Sequence, residues 1–264
     1  MPRLFRLAAL LAVLLASAAA PHAARAQAAD GDGRAHRLLP ADPDADLYYL
    51  STDEATLFRS ADSLRPIARL ARRASLHRLG QEGGWTHVRT DDGREGFLRG
   101  APLSNVWIQV SKSRRTITLY EGTTVRLSVP ADFGYNPMAD KEQRGSMNDP
   151  DHWRTPEGVF YVTRLHPRSQ FYRAFVLSYP STVHARRALD RGLISARDYE
   201  AIAEAERTFA EPPMNTAMGG MIEIHGSGTG AGVNWTQGCV AVRNTHMDAM
   251  WGYVTVGTPV VIDP

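Results

Sequence analysis

Cys239, the only cysteine among 264 residues, is the strongest candidate nucleophile in this chain. A thiol attacks as thiolate, and with a free pKa near ~8.5 it needs a neighbour to take its proton. His225 is the candidate base. It follows Met221-Ile222-Glu223-Ile224, a run that reads as a strand, and a strand end would hold an imidazole rigidly. Acyl chemistry also needs backbone N–H groups aimed at the developing oxyanion. Gly238, just before Cys239, lets the backbone approach a substrate carbonyl closely. Gly226, Gly228, Gly230 and Gly232 lie between the two candidates and suit an adaptable loop along a cleft. Residue types alone leave a second reading open. A cysteine beside Val240 and Val242 also reads as a small buried hydrophobe, and a lone histidine at a strand end also serves as a hydrogen-bonded structural residue.

The remaining polar residues offer less. His246 reads as exposed near a helix start, and His152 and His166 lie in or beside expected loops. Glu157 reads as a turn residue. No spacing of His, Cys, Asp and Glu suggests a metal site, and there is no phosphate-binding loop or dinucleotide fingerprint, so no cofactor is implied. The net charge of +2 is too small to point to nucleic acid, and the basic residues, almost all Arg, are scattered.

The elements that must position Cys239 and His225 begin at residue 105. Residues 106–110 and 116–120 flank a polar turn and read as a hairpin, with a third strand at 125–129. Residues 132–153, rich in Gly, Asn, Asp and Pro, read as a long loop. Thr155-Pro156-Glu157-Gly158 reads as a turn into a strand at 159–162. Residues 185–210 are rich in Ala, Arg and Glu, and Gly192 and the cap Ser195-x-x-Asp198 divide them into two helices. Thr245-x-x-Asp248 predicts a short helix through Tyr253, and Gly257-Thr258-Pro259 a turn into a last strand at 260–262.

Upstream, the N-terminus reads as a signal peptide over 1–26. Arg3 and Arg6 precede an apolar stretch at 7–20, and Ala24-Arg25-Ala26 supplies a small-x-small cleavage site. The stretch falls short of the ~20 residues that span a bilayer. Residues 27–46 read as a flexible leader. Residues 47–104 carry short strand patterns at 48–50, 57–58, 76–79, 85–89 and 96–98, with turn signals at 82–84 and 91–93. Ala55-Thr56-Leu57-Phe58-Arg59, Gly83-Gly84-Trp85-Thr86-His87-Val88 and Gly93-Arg94-Glu95-Gly96-Phe97 resemble a bacterial SH3-type domain. That likeness implies a small barrel, many relatives of which bind cell-wall peptides. The expected destination is periplasmic or otherwise extracytoplasmic.

Ile224-His225-Gly226, the glycine-rich loop, and Trp235-Thr236-Gln237-Gly238-Cys239-Val240-Ala241-Val242 together resemble the L,D-transpeptidase catalytic domain (the YkuD domain). The likeness continues in Trp107-Ile108-Gln109-Val110-Ser111-Lys112, Asp140-Lys141, Thr155-Pro156-Glu157-Gly158-Val159-Phe160 and Gly257-Thr258-Pro259-Val260. It covers about residues 105–263. It implies a mainly β fold, an L,D-transpeptidase-like β-sandwich with an inserted helical pair, here over 105–264, preceded by the SH3-like barrel. It also implies that Cys239 is acylated, His225 is the general base and the Gly226 carbonyl orients the imidazole. Thr236, Gly238 and the Cys239 amide would shape the oxyanion site. The common pattern has an Arg two residues after the Cys, which helps to hold the substrate. Here that position is Ala241 and the nearest Arg is Arg243, a mark of a divergent branch.

The function so implied is a peptidoglycan L,D-transpeptidase acting on peptide stems, with a second stem or an envelope protein as acyl acceptor. The alternatives are an L,D-carboxypeptidase or amidase-type hydrolase on the same fold, and a non-catalytic wall-binding protein.

Overall fold

A computed structural model describes residues 47–62, 65–100 and 103–264; the expected signal segment (1–26) and leader (27–46) lie outside them. The described residues are mainly β, with 43% strand and 15% helix. No helix among the described residues is long and apolar enough to cross a membrane.

The first seven strands form one antiparallel sheet. They are β1 (Leu47–Leu50), β2 (Glu54–Phe58), β3 (Pro66–Ala71), β4 (Ser75–Glu82), β5 (Trp85–Thr90), β6 (Glu95–Arg99) and β7 (Leu103–Ser104). Their order is β3-β2-β6-β5-β4-β1-β7. Alternating inward residues, Leu50, Leu57, Leu70, Leu76, Val88 and Leu98, form a separate small core. β3 carries no strand signal in the sequence because only Leu70 of Pro-Ile-Ala-Arg-Leu-Ala is buried.

The rest of the chain builds an eight-stranded sheet. Its strands are β8 (Val106–Ser111), β9 (Thr116–Glu121), β10 (Thr124–Pro130), β12 (Gly158–Ser169), β13 (Tyr172–Leu177), β14 (Glu223–His225), β16 (Val240–Ala241) and β17 (Pro259–Asp263). The order is β10-β9-β8-β17-β12-β13-β14-β16. β11 (Phe133–Gly134) and β15 (Asn234–Thr236) pair separately and in parallel. The loop expected over 132–153 thus contains β11 and a 3-10 turn at Pro150–His152. The strand expected at 159–162 runs to Ser169, and β13 beside it was not foreseen. Arg164, His166, Pro167 and Arg168 mask β12, since its outer half buries nothing fully.

Helix α1 (Thr182–Asp190) and α2 (Ala196–Thr208) pack on each other through Ala185, Ala188, Ile194 and Ile202. The Ser195 hydroxyl accepts from the Asp198 amide, and the Asp198 carboxylate accepts from the Ser195 amide, which stops fraying at the start of α2. Tyr161 on β12 donates to Ala210 O at 2.8 Å and ties the end of this pair to the sheet. Helix α3 (Asn244–Trp251) starts earlier than its expected Thr245 cap: Arg243 holds the N-cap position without a side-chain bond.

The two sheets meet at a buried arginine. Arg73 is 4% exposed, donates to Gly257 O and lies over the rings of Tyr49, Tyr161 and Phe209 at 5.2, 5.9 and 5.1 Å. Burial lowers its pKa to about 10, against the raising influence of Tyr49 and Tyr161. Tyr49 also donates to Val106 O at 2.8 Å.

Candidate active site

Strand β14 alternates its side chains, so Ile224 enters the core while His225 turns to the opposite face. His225 is 1% exposed, stacked on Phe171 at 4.4 Å and met edge-on by Trp235. Its Nδ1 lies 2.7 Å from Gly226 O. A carbonyl can only accept, so Nδ1 carries the proton and Nε2 keeps the lone pair a base needs. Burial lowers the His225 pKa, and the Gly226 bond and the Asp132 charge oppose that. Gly226 must be glycine here: a Cβ would stand 2.6 Å from Asn244 Oδ1 and 2.8 Å from Phe171 O.

Cys239 lines the same cleft as His225, a space of about 800 Å³ that also contacts Lys141, Arg144, Trp153, His166, Glu223 and Thr236. Gly238 before it has φ 128°, and a Cβ there would meet Arg154 O at 2.6 Å. The Thr236 hydroxyl donates to Cys239 O at 2.7 Å and accepts from the Gly238 amide at 3.2 Å. Thr236 and Gly238 therefore bond each other and fix the turn that presents Cys239. At rest the thiol donates to Met221 O at 3.6 Å, and no hydrogen bond joins it to His225 among the described residues. Burial pushes the thiol up to about 12, and the Glu223 carboxylate pushes the same way, against the Glu223 amide and the Lys141 ammonium. Desolvation thus outweighs any stabilisation of the thiolate, and the resting pair is neutral.

Arg243 is not brought to the cleft. It is exposed, and its Nε donates to Thr229 O at 3.2 Å, along the glycine loop. His166, read as a loop residue, stands on β12 in the cleft wall. His246 is half-buried rather than exposed, on α3. Ala241 is fully buried on β16.

Sequence reading passed over Asp132 and took Lys141 only as part of the family likeness. Asp132 is fully buried and gathers four donors: the Thr229 amide at 2.6 Å, the Thr229 hydroxyl at 2.9 Å, the Val233 amide at 3.1 Å and Trp235 Nε1 at 2.9 Å. Burial would raise its pKa, but the bonds from Thr229, Trp235 and Val233 hold it below the ordinary value. One carboxylate thus anchors the loop that runs from His225 to Cys239. Its signal was an acid set between Val129-Pro130-Ala131 and Phe133, ahead of a glycine loop rich in free N–H groups. Lys141, 4% exposed, donates to His152 O at 3.0 Å. Burial lowers its pKa to about 8; the Cys239 charge opposes this, and Arg144 and Arg154 add to it.

The family model described as L,D-transpeptidase catalytic domain (YkuD) matches residues 105–262, more than half of the chain. The chain belongs to this family. Similar solved structures include an L,D-transpeptidase (residues 123–326) from Xylanimonas cellulosilytica, 17% identical, covering 60% of each chain, with a TM-score of 0.34. Another is Bd1075 of Bdellovibrio bacteriovorus, 23% identical, covering 60% of this chain and 48% of that one, with a TM-score of 0.38. A third is L,D-transpeptidase 3 from Mycobacterium tuberculosis in complex with a faropenem-derived adduct, 11% identical, covering 83% and 82%, with a TM-score of 0.36. The chain therefore spans 60% and 48% of the lengths of the first two. At these TM-scores the likenesses add nothing to the family assignment. No curated protein matched the chain. The site thus belongs to an L,D-transpeptidase domain in which Cys239 and His225 share a cleft.

Proposed function

We propose that this chain is a peptidoglycan L,D-transpeptidase that works through a thioester on Cys239. The observation that carries the reading is the shared cleft of Cys239 and His225, with His225 Nδ1 committed to Gly226 so that Nε2 is the basic nitrogen. A stem peptide places the amide after the L-centre of diaminopimelate at Cys239. As the S–C bond forms, the thiol proton passes to Nε2. The C–N bond then breaks, His225 returns the proton to the departing D-amino acid, and an amine of a second stem resolves the thioester. Gly238 and the Cys239 amide form the oxyanion side; Thr236 contributes by holding their turn, and Arg243 by bracing the glycine loop. We read residues 1–26 as the export signal and residues 47–104 as an SH3-like unit that seats the enzyme on the wall.

Hydrolysis on the same fold is the second reading, and Ala241 favours it. Fully buried, it offers no cation where the family's common pattern has an Arg. Mass analysis of stems incubated with the full-length protein separates the two: cross-linked or exchanged products mean transfer, and shortened stems mean hydrolysis. Untouched stems would sink both. A carbapenem, whose strained ring presents an acyl carbonyl, should add one mass increment to the protein. Cys239→Ser should lose that adduct, and His225→Ala should slow it by about 100-fold or more.

A further inference from the structure

The acyl-transfer chemistry leaves Glu223 of the cleft unused. Glu223 and His225 share a face of β14, and the register extends that face across two more strands. Glu223 lies opposite Val176, which lies opposite Arg164; His225 lies opposite Ala174, which lies opposite His166. Glu223 is 6% exposed and lines the cleft with His166 and Cys239. Arg164, the cation in its row, is paired with Glu211 at 3.2 Å. The Glu223 carboxylate has no hydrogen bond or ion pair of its own among the described residues. His166 Nδ1 is likewise buried without a partner. Burial pushes the Glu223 carboxyl above its ordinary range; His166 and Arg164 pull it back, and Glu211 pushes it up.

A carboxylate with no partner of its own, in a largely buried residue, favours a ligand that brings a cation. Arg164 is already held by Glu211, so the Glu223 carboxylate is left for a ligand, although Lys141 and Arg144 line the same cleft. We propose that Glu223 and His166 form a subsite for a primary ammonium group of the bound peptide, within the cleft of Cys239. A compact ammonium has three donors, one for the Glu223 carboxylate and, once the ring turns its buried Nδ1 toward the cleft, one for His166 in its acceptor tautomer. The subsite stands on the geometry; that its ligand is the side-chain amine of a diamino acid in a stem rests on the function proposed above.

Cys239 itself reports the local charge. In the full-length protein, its rate of modification by cationic 2-aminoethyl methanethiosulfonate is divided by its rate with neutral methyl methanethiosulfonate. Glu223→Gln should lower that ratio about threefold or more, the effect of one charge a few ångströms away in water-like surroundings. Glu223→Asp should preserve it. In the unaltered protein, butylammonium should slow the neutral reagent more than butanol does. An unchanged ratio, or equal slowing by the two, overturns the proposal. Stem peptides with a free or N-acetylated side-chain amine supply the second arm. The unaltered enzyme should show a lower KM for the free amine, and Glu223→Gln should lose that preference. A ratio that falls while no peptide is processed keeps the subsite and removes the acyl-transfer reading. Turnover with ratio and preference unchanged does the reverse.

Discussion

Cys239 donates its proton to a backbone oxygen while a neutral imidazole waits in the same cleft, so the nucleophile is made on demand. Desolvation raises the thiol and lowers His225, which disfavours a preformed thiolate–imidazolium pair. Alkylation by iodoacetamide should therefore climb steadily into the alkaline range, with no plateau near pH 6–7. A plateau below pH 7 that His225→Ala removes would restore the ion pair. Ala241 bears on the same site. Placing an Arg there to recover the family's usual pattern would bury a guanidinium in a fully occluded strand position. We expect Ala241→Arg to destabilise the fold by several kcal/mol rather than to quicken acylation. A thermal melt decides it, and an unchanged melting temperature would mean that the side chain finds a way out.

Among the elements, the glycine loop depends most on a single partner. Its Thr229, Val233 and Trp235 donors all end on Asp132, and β16 pairs with the Asp132 backbone through Ala241 N, at 2.9 Å from Asp132 O. Asp132→Ala leaves buried N–H groups unmatched, at about 3 kcal/mol in all, and should slow Cys239 acylation by loosening the loop. Denaturant titration alongside acylation rates tests this; loss of stability with full activity would confine Asp132 to a structural role. The pH dependence follows in sign. The folded pKa lies below the unfolded value of ~3.9, so the contribution is complete above that value and fades as pH falls through the folded one. A protein whose stability stays flat from pH 5 to pH 3 would exclude this contribution. The only local mark of Asp132 is its apolar flanks, and its partners lie about a hundred positions away. The shared cleft of Cys239 and His225 and the Gly226 contact were legible because these residues sit within one motif. The hairpin of β8 and β9 and the cap of α2 were readable for the same reason. β13 and the outer half of β12 were not: β13 is a continuous buried run from Ala174 to Leu177 without alternation, and His166 and Ser169 of β12 answer to a cleft that only the folded sheet creates.

Among the described residues the two sheets hold separate cores of unequal size, 21 buried residues against six, and the helical pair adds a third cluster. The larger should fold alone, so a fragment of residues 105–264 is expected to melt cooperatively, and an aggregating fragment would refute that. The seven-stranded sheet leans on Arg73 and its three aromatic rings. Arg73→Ala should split calorimetric unfolding of the full chain into two transitions; one unsplit transition would show that the sheets need no such pin. The lone thiol has a further consequence, this time in redox chemistry. Disulfide exchange and peroxide attack both proceed through the thiolate. With burial pushing its pKa up to about 12, Cys239 is held mostly as the thiol at neutral pH. The desolvation that keeps the nucleophile neutral until a substrate arrives therefore also shields it from oxidants, with no second cysteine in the chain to rescue it.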